Sequence, residues 1–217
     1  MFRAILYTQW KWSRLPLLLS VLAGFALPVL SVQRVSGVTG YWATRTMLAS
    51  VQAWGMLYPI LGATLGLLVG ALAWAADHRG RHVYALSLPV ARWHYALLRF
   101  GAGLVLLAAP VLAVWIGGIV ATATVTIPTG LHAYPTMLAA RFALAVFVTY
   151  ALFFAISAGT VRMASYVLGA LAVVLVVEVV ANAAGAHVSL VERFFLALVV
   201  WPGPLELLTG RWMLIDV

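Results

Sequence analysis

The chain alternates between long apolar runs and short polar segments, and most of its cations fall in the polar segments. A window of about 19 residues identifies five apolar runs, at residues 15–32, 51–76, 95–121, 138–157 and 163–184. At a rise of about 1.5 Å per helical residue, each run is long enough to cross a hydrocarbon layer of roughly 30 Å. The pattern therefore predicts an all-α polytopic membrane protein with five transmembrane helices.

The two ends of the chain follow other patterns. Residues 1–14 combine cations with Trp and Tyr, which predicts an interfacial amphipathic helix. Residues 190–212 are apolar on average but contain Pro202 and Pro204, which break a helix, so we predict a re-entrant or interfacial hairpin. In the alternative, residues 190–208 form a sixth span, which would bury two acids, an Arg and both prolines. The predicted parts are thus a surface helix at 1–14, a bundle at 15–184 with a cytoplasmic coupling loop at 77–94, and an extracytoplasmic segment at 185–217.

Composition excludes the soluble classes of protein. Apolar residues make up 65% of the 217 residues and charged residues only 8%, against roughly a quarter in an average soluble domain. The formal net charge of +8 suits phospholipid head groups rather than nucleic acid, because the cations lie between apolar runs. The chain has no Cys, and its only lysine, Lys11, precedes Trp12, so a GxxxxGK[ST] phosphate loop is excluded. We expect no enzyme activity and no cofactor in this chain. If energy comes from ATP, another polypeptide must hydrolyse it.

The distribution of cations predicts the orientation. With the N-terminus inside, eight of the 13 cations lie on the inner side, and an excess of inner cations is the usual arrangement. These eight are Arg3, Lys11, Arg14, Arg79, Arg81, Arg92, Arg99 and Arg162. We therefore predict a cytoplasmic N-terminus, and five spans then leave the C-terminus outside.

The polar segment between the second and third runs has a specific pattern. It reads Asp77-His-Arg-Gly-Arg-His-Val-Tyr-Ala-Leu-Ser-Leu-Pro-Val-Ala-Arg92. Residues 78–87 can form a short helix, whereas Pro89 disfavours a helical Leu88 and suits the first turn of the next helix. We predict a short surface helix, a sharp turn and a return into the membrane. Such an element could transmit a push from a cytoplasmic partner into a span.

This segment resembles a motif in the permease subunits of type-2 ABC exporters. In that family an acidic residue after the second span is followed by a Gly, an aromatic or Leu-rich stretch, and Leu-x-x-Pro-x-x-Arg. The matching positions here are Asp77, Gly80, Tyr84, Leu86, Pro89 and Arg92. The family's N-terminal interfacial helix and its re-entrant helices after the fifth span also match the predicted layout. Two features depart from the family: Asp77 is followed by His and Arg rather than a Glu-rich run, and no clear sixth span is found.

The resemblance implies a function, partners and a location. The chain would be a permease subunit of an ABC export complex in the bacterial cytoplasmic (inner) membrane. It would form the translocation path with a second permease copy or a homologous permease, and ATPase subunits would hold ATP and Mg. The residues implied in ATPase coupling are Asp77, Arg79, Gly80, Arg81, Tyr84, Leu86, Pro89 and Arg92. The alternative function is a non-transporting membrane anchor or assembly subunit of a larger complex.

Three glycines lie at i, i+4 and i+8 in the second run: Gly62, Gly66 and Gly70. This spacing places them on one helical face, where small residues let another backbone approach closely. We predict static helix packing, with sliding of one helix past another as the alternative.

Few ionisable groups lie inside the runs. Glu178 is deep in the fifth run, with Asn182 one turn further on. As a functional site, they would bind a polar substrate group or form a gate. The alternative is a polar contact that holds two helices together. His78 and His82 are spaced i, i+4, but a third ligand other than Asp77 is lacking nearby. We therefore predict no metal site.

Overall fold

The fold is described from a computed structural model. It describes residues 1–33, 42–75, 77, 91–159, 169–170, 172–174, 176–180, 189–200 and 203–217. The helices, named here in chain order, are α1 Phe2–Gln33, α2 Ala43–Gly55, α3 Leu57–Ala73, α4 Arg92–Thr124, α5 Pro135–Ala158 and α6 Leu190–Val199. Residues 169–170, 172–174 and 176–180 are also helical. The remaining elements are strands β1 His132–Ala133 and β2 Ile215–Asp216 and a 3₁₀ turn at Glu206–Leu208.

Four segments of the described chain are long and apolar enough to cross a membrane. They are Phe2–Gln33, Ala43–Ala73, Arg92–Thr124 and Pro135–Ala158, with mean hydropathies between 1.9 and 2.5. The first, third and fourth predicted runs lie inside these segments, and the second overlaps Ala43–Ala73. Much of the fifth predicted run, residues 163–184, lies outside the described residues. The mostly helical character predicted from the sequence is thus confirmed.

The four long segments pack as a ring. Helix α1 contacts α4 and α3, and α5 contacts the same two helices. Helices α1 and α4 run parallel, as do α3 and α5, while the two pairs are antiparallel to each other. We call the end of this bundle that contains Asp77 and the first turns of α4 the Asp77 end. The opposite end, which contains Trp212 and the first turns of α5, is the Trp212 end.

The second span is interrupted near its start. Helix α2 ends at Gly55, Met56 separates it from α3, and the Met56 N–H bonds the Trp54 carbonyl. Pro59 lies four residues after Gly55 and has no N–H to offer the Gly55 carbonyl, which weakens the helix at this point. The break lies three residues before Pro59. The span also begins at Ala43, eight residues before the predicted start.

The first residues of α1 contact α4 around Arg99. Phe2 reaches within 4.0 Å of the position a Cβ on Gly101 would take, and Gln9 Nε2 donates to the Arg99 carbonyl at 3.0 Å.

The later part of α1 lies along α4. Gly24 packs against Val114, whose Cγ2 lies 3.0 Å from the Cβ position, and Gly117 packs against the backbone of Phe25. Pro16 lies between these contacts and those of Gln9, and α1 continues through it as one helix. The helix itself continues through residue 14, the expected boundary between the surface helix and the first span.

Short strands join the C-terminal residues to the connection between α4 and α5. Strands β1 and β2 are antiparallel, with His132 opposite Asp216 and Ala133 opposite Ile215. The Tyr134 N–H adds a bond of 2.8 Å to the Leu214 carbonyl. The all-α prediction did not include this pairing, because it joins two residues to two others more than 80 positions away.

The chain reverses direction after α6. The Leu205 N–H bonds the Leu198 carbonyl at 2.8 Å, and the Gly203 N–H bonds the Val200 carbonyl at 2.7 Å. Helix α6 has 10 residues and is about 15 Å long, half of a hydrocarbon layer. The re-entrant or interfacial hairpin stays a prediction.

Candidate functional site

A buried ion pair joins the two spans that flank segment 78–90. Asp77 follows α3 by four residues, and Arg99 lies two turns into α4. Arg99 Nη2 is 2.8 Å from Asp77 Oδ1, and the side chains are only 6% and 3% exposed. At such low exposure, both charges need partners to offset the loss of hydration. The pair therefore ties the start of this segment to the helix that follows it.

Both members of the pair have further partners. The Tyr95 hydroxyl lies 3.2 and 3.3 Å from the two Asp77 carboxylate oxygens. Arg99 Nη1 donates to the Ala73 carbonyl, one of the α3 carbonyls that the helix end leaves without an intrahelical partner. The guanidinium also lies 5.3 Å from the centre of the Trp74 ring and 4.9 Å from that of Tyr95. Arg99 thus neutralises the carboxylate and caps the C-terminal end of α3 at the same time.

Two more helices attach to the same turn of α4. Gln9 of α1 donates to the Arg99 carbonyl, and the Tyr150 hydroxyl of α5 donates to the Phe100 carbonyl at 3.1 Å. Phe100 also stacks on Tyr150, with ring centres 5.1 Å apart. We call the set Gln9, Asp77, Tyr95, Arg99 and Tyr150 the Arg99 junction. It connects α1, α4, α5 and the end of α3 at one level of the bundle.

The coupling residues predicted from the sequence fall into two groups. Asp77 and Arg92 are described, and the structure places both at the Asp77 end. Asp77 is buried and paired with Arg99, so it does not offer its carboxylate to a partner, whereas Arg92 is exposed. The other predicted coupling residues lie outside the described part of the chain: Arg79, Gly80, Arg81, Tyr84, Leu86 and Pro89.

Sequence reasoning missed the role of Arg99, which it treated only as a cation at the inner end of the third span. Tyr95 and Gln9 were not considered as partners. A signal was available for the ion pair, because an ionisable residue inside an apolar helix usually has a partner of opposite charge. Asp77 is the only acid in the first half of the chain, which made it the natural candidate.

The three spaced glycines of α3 face α5. A Cβ on Gly62 would lie 3.5 Å from Val146, and one on Gly70 would lie 2.9 Å from the Phe154 backbone nitrogen. Gly66 is the tightest of the three, since its Cβ would overlap the Thr149 side chain. The Thr149 hydroxyl lies 3.3 Å from the Gly62 carbonyl. The stripe thus serves close packing of α3 on α5 in this structure.

Replacing Gly66 with Ala is expected to lower the free energy of unfolding by about 1–2 kcal/mol. The added methyl group would push against Thr149 and against the Tyr150 backbone nitrogen, 2.8 Å away, and overpacking of this kind costs about 1–3 kcal/mol. The better helix propensity of Ala returns up to about 1 kcal/mol. Unfolding in mixed detergent micelles would measure the change.

Gly101→Ala is the matched control for that experiment. Gly101 lies within α4, and the nearest atom to its Cβ position is 4.0 Å away, so the control should gain stability. Equal effects of the two substitutions would contradict the role assigned to the contact between α3 and α5.

Of the two polar residues predicted in the fifth run, Glu178 lies in the described part of the chain. It is half-buried within the helical residues 176–180. Asn182 lies outside the described residues, so the role predicted for the two residues stays a prediction. Across the described ranges, no group of three or more His, Cys, Asp or Glu residues is placed to hold a metal ion.

A second cluster covers the Trp212 end. The Trp212 ring is stacked on Tyr58, with ring centres 6.1 Å apart. The guanidinium of Arg141, a residue of α5, lies 5.0 Å from the centre of the Trp212 ring. Arg141 also donates to the Thr209 carbonyl. Gly55 leaves room for this arrangement, because a Cβ there would collide with the Trp212 backbone. The cluster attaches the C-terminal residues to the break between α2 and α3.

Comparison of the chain with protein-family models, with curated proteins and with solved structures gives no significant match. The functional argument therefore rests on the residues and the geometry described above.

Proposed function

We propose that the chain is the permease subunit of a type-2 ABC export complex and that segment 77–92 receives movement from a separate ATPase subunit. The observation that carries the proposal is the Arg99 junction. The ion pair of Asp77 with Arg99 joins the start of segment 78–90 to α4, the helix that begins directly after it. A force on this segment would therefore act on two spans together.

The chemistry of the junction suits transmission of force. Arg99 bonds Asp77 and the last turn of α3, and its own backbone is held by Gln9. Polar groups buried this deeply form a network in which each contact strengthens the others. In the proposed function, Asp77 is a positioning residue, and the exposed Arg92 is one of the residues that contact the ATPase.

The proposed topology has five spans with both the N-terminus and segment 77–92 in the cytoplasm. The strand pairing supports it, because residues 132–133 and 215–216 lie at the same end of the bundle. Helix α5 leads away from that end, which supports the proposed crossing within residues 163–184. The 10-residue α6 and the reversal after it support a hairpin that enters the outer side of the membrane.

The exposed cations and aromatic rings in the first turns of α1 support a surface helix at residues 1–14. Such a helix would lie along the inner face of the cytoplasmic membrane before α1 enters the bilayer. The cargo path would lie between this chain and a second permease copy or a homologous permease. Exposed valines in the described helical residues 172–180 provide an apolar surface for lipid or for that second permease.

Charge reversal at Arg79, Arg81 and Arg92 is expected to lower co-purification of ATP-hydrolysing activity at least about tenfold, because like charges placed in an interface cost several kcal/mol. The full chain would be tagged, extracted from its native membrane, and assayed for ATP hydrolysis and for a co-purifying protein that contains a phosphate-binding loop. The matched control reverses three exposed cations elsewhere, Arg45, Arg193 and Arg211.

Retained ATPase association in the triple variant would contradict the coupling assignment. A stable complex that contains no ATPase at all would instead favour the alternative, a membrane anchor or assembly subunit.

A further inference from the structure

We propose that the first turns of α1 carry a binding surface for anionic phospholipid head groups. The surface consists of five side chains that we call the basic stripe: Arg3, Tyr7, Trp10, Lys11 and Arg14. At 100° per residue they lie within an arc of about 100° on the helix. The inference rests on the membrane location in the proposed function but does not depend on an ATPase partner.

The basic stripe faces away from the bundle. Ile5, Gln9 and Ser13 are the buried residues of this part of α1, and they occupy the opposite side of the helix. Tyr7 is 70% exposed and Trp10 41% exposed. The three cations are exposed as well. A helix held by one side against α4 thus presents its cations and aromatic rings on the other.

The charges around the stripe are of one sign. The two ion pairs found among the described residues involve Arg99 and Arg141, so the stripe cations are not engaged in either. Asp77 is the acid at this end, and Arg99 neutralises it. Glu206 and Asp216 lie at the Trp212 end. Of these three described acids, Asp77 is thus the one at the same end as the stripe, and its charge is already balanced by Arg99.

The composition of the stripe selects a lipid rather than a free anion or an acidic protein. Trp and Tyr prefer the head-group level of a bilayer, where the ring is in contact with acyl chains and the polar edge with water. Lys and Arg beside them can reach lipid phosphates. The stripe lies on the side of α1 opposite its buried residues, so its cations and rings are free to meet lipid head groups while the helix packs on α4.

The test compares retention of two lipids by the purified full chain. The protein is equilibrated in mixed micelles with equal amounts of phosphatidylglycerol and phosphatidylcholine that have matched acyl chains. After re-purification, mass spectrometry gives the ratio of the two lipids retained. The wild-type chain is expected to enrich phosphatidylglycerol several-fold at low ionic strength, with enrichment falling as salt screens the contact.

Neutralising Arg3, Lys11 and Arg14 together, each to Gln, is expected to bring the ratio close to that of the bulk micelles. Each cation near an anionic surface contributes up to about fivefold in affinity, so loss of all three is enough to remove a several-fold preference. The matched control, with Arg45, Arg193 and Arg211 each changed to Gln, removes the same net charge and should keep the wild-type ratio.

Several results would overturn the proposal. These are equal retention of both lipids by the wild-type chain, a wild-type ratio in the Arg3, Lys11 and Arg14 variant, or an equal loss in the control. Displacement of phosphatidylglycerol by inorganic phosphate alone would indicate a site for free anions and also count against it. If the triple variant does not fold, the salt dependence of the wild-type chain decides, and enrichment that is insensitive to salt would refute the electrostatic contact. The lipid-retention experiment contains no ATPase. A negative result would therefore contradict the lipid-binding surface and leave the proposed ATPase coupling untouched.

Discussion

Replacing Arg99 with Met is expected to lower the free energy of unfolding by about 3–5 kcal/mol, because it leaves the buried Asp77 carboxylate without its cation. The same change removes the donor to the Ala73 carbonyl at the end of α3. We expect the loss to be measurable in mixed detergent micelles, together with faster proteolysis within segment 78–90. Arg92→Met is the matched control, since Arg92 is an exposed cation on the same helix, and its effect should be small.

A second substitution separates the ion pair from its packing. Changing Asp77 to Leu in the Arg99→Met background removes the unpaired charge, and replacing a buried pair with apolar groups is often neutral or stabilising. We therefore expect the double variant to recover much of the stability lost by Arg99→Met. Additive losses from the two substitutions would show that the two side chains act independently. If the proposed coupling is correct, the double variant should fold yet lose communication with the ATPase.

Truncating Trp212 to Ala is expected to cost about 3–5 kcal/mol, as for other buried aromatic residues. Trp212 is only 4% exposed and holds both the Tyr58 ring and the Arg141 guanidinium. Because it lies near the C-terminus, the loss should appear first as detachment of residues 203–217. Hydrogen exchange would measure this as faster exchange of the β1–β2 amides.

Trp93→Ala makes the same chemical change at a position that is 67% exposed, and it should leave exchange at the β1–β2 amides unchanged. Equal exchange in wild type and Trp212→Ala would mean that the strand pairing, not the ring stack, holds the C-terminal residues.

The long helices could be predicted because their physics is local. A backbone in hydrocarbon must satisfy its own hydrogen bonds, so a sufficiently long apolar run fixes both the element and its approximate length. The predicted ends of the helices were less accurate, since the second span begins at Ala43, well before the apolar run does. The break at Met56 was partly predictable, because Pro59 follows it closely. The close contact between Gly55 and the Trp212 backbone was not, because it depends on the tertiary fold.

The contacts within the candidate site depend on residues far apart in sequence. Gln9 and Arg99 are 90 positions apart, and no local pattern identifies a carbonyl as the partner of a particular amide. The ion pair of Asp77 with Arg99 spans 22 positions and could have been inferred from the cost of burying a lone charge. The glycine stripe was the easiest to interpret, because its spacing alone defines a face, although the sequence did not indicate that α5 covers it.

The hydrogen bond from Gln9 to the Arg99 carbonyl has a consequence for regulation. It attaches the helix turn that bears the basic stripe to the residue that holds the start of segment 78–90. Any ligand that shifts one of these elements and thereby changes affinity at the other must obey thermodynamic reciprocity. If anionic lipid raises the affinity of the chain for an ATPase, then binding of that ATPase must raise the affinity of the chain for anionic lipid by the same factor.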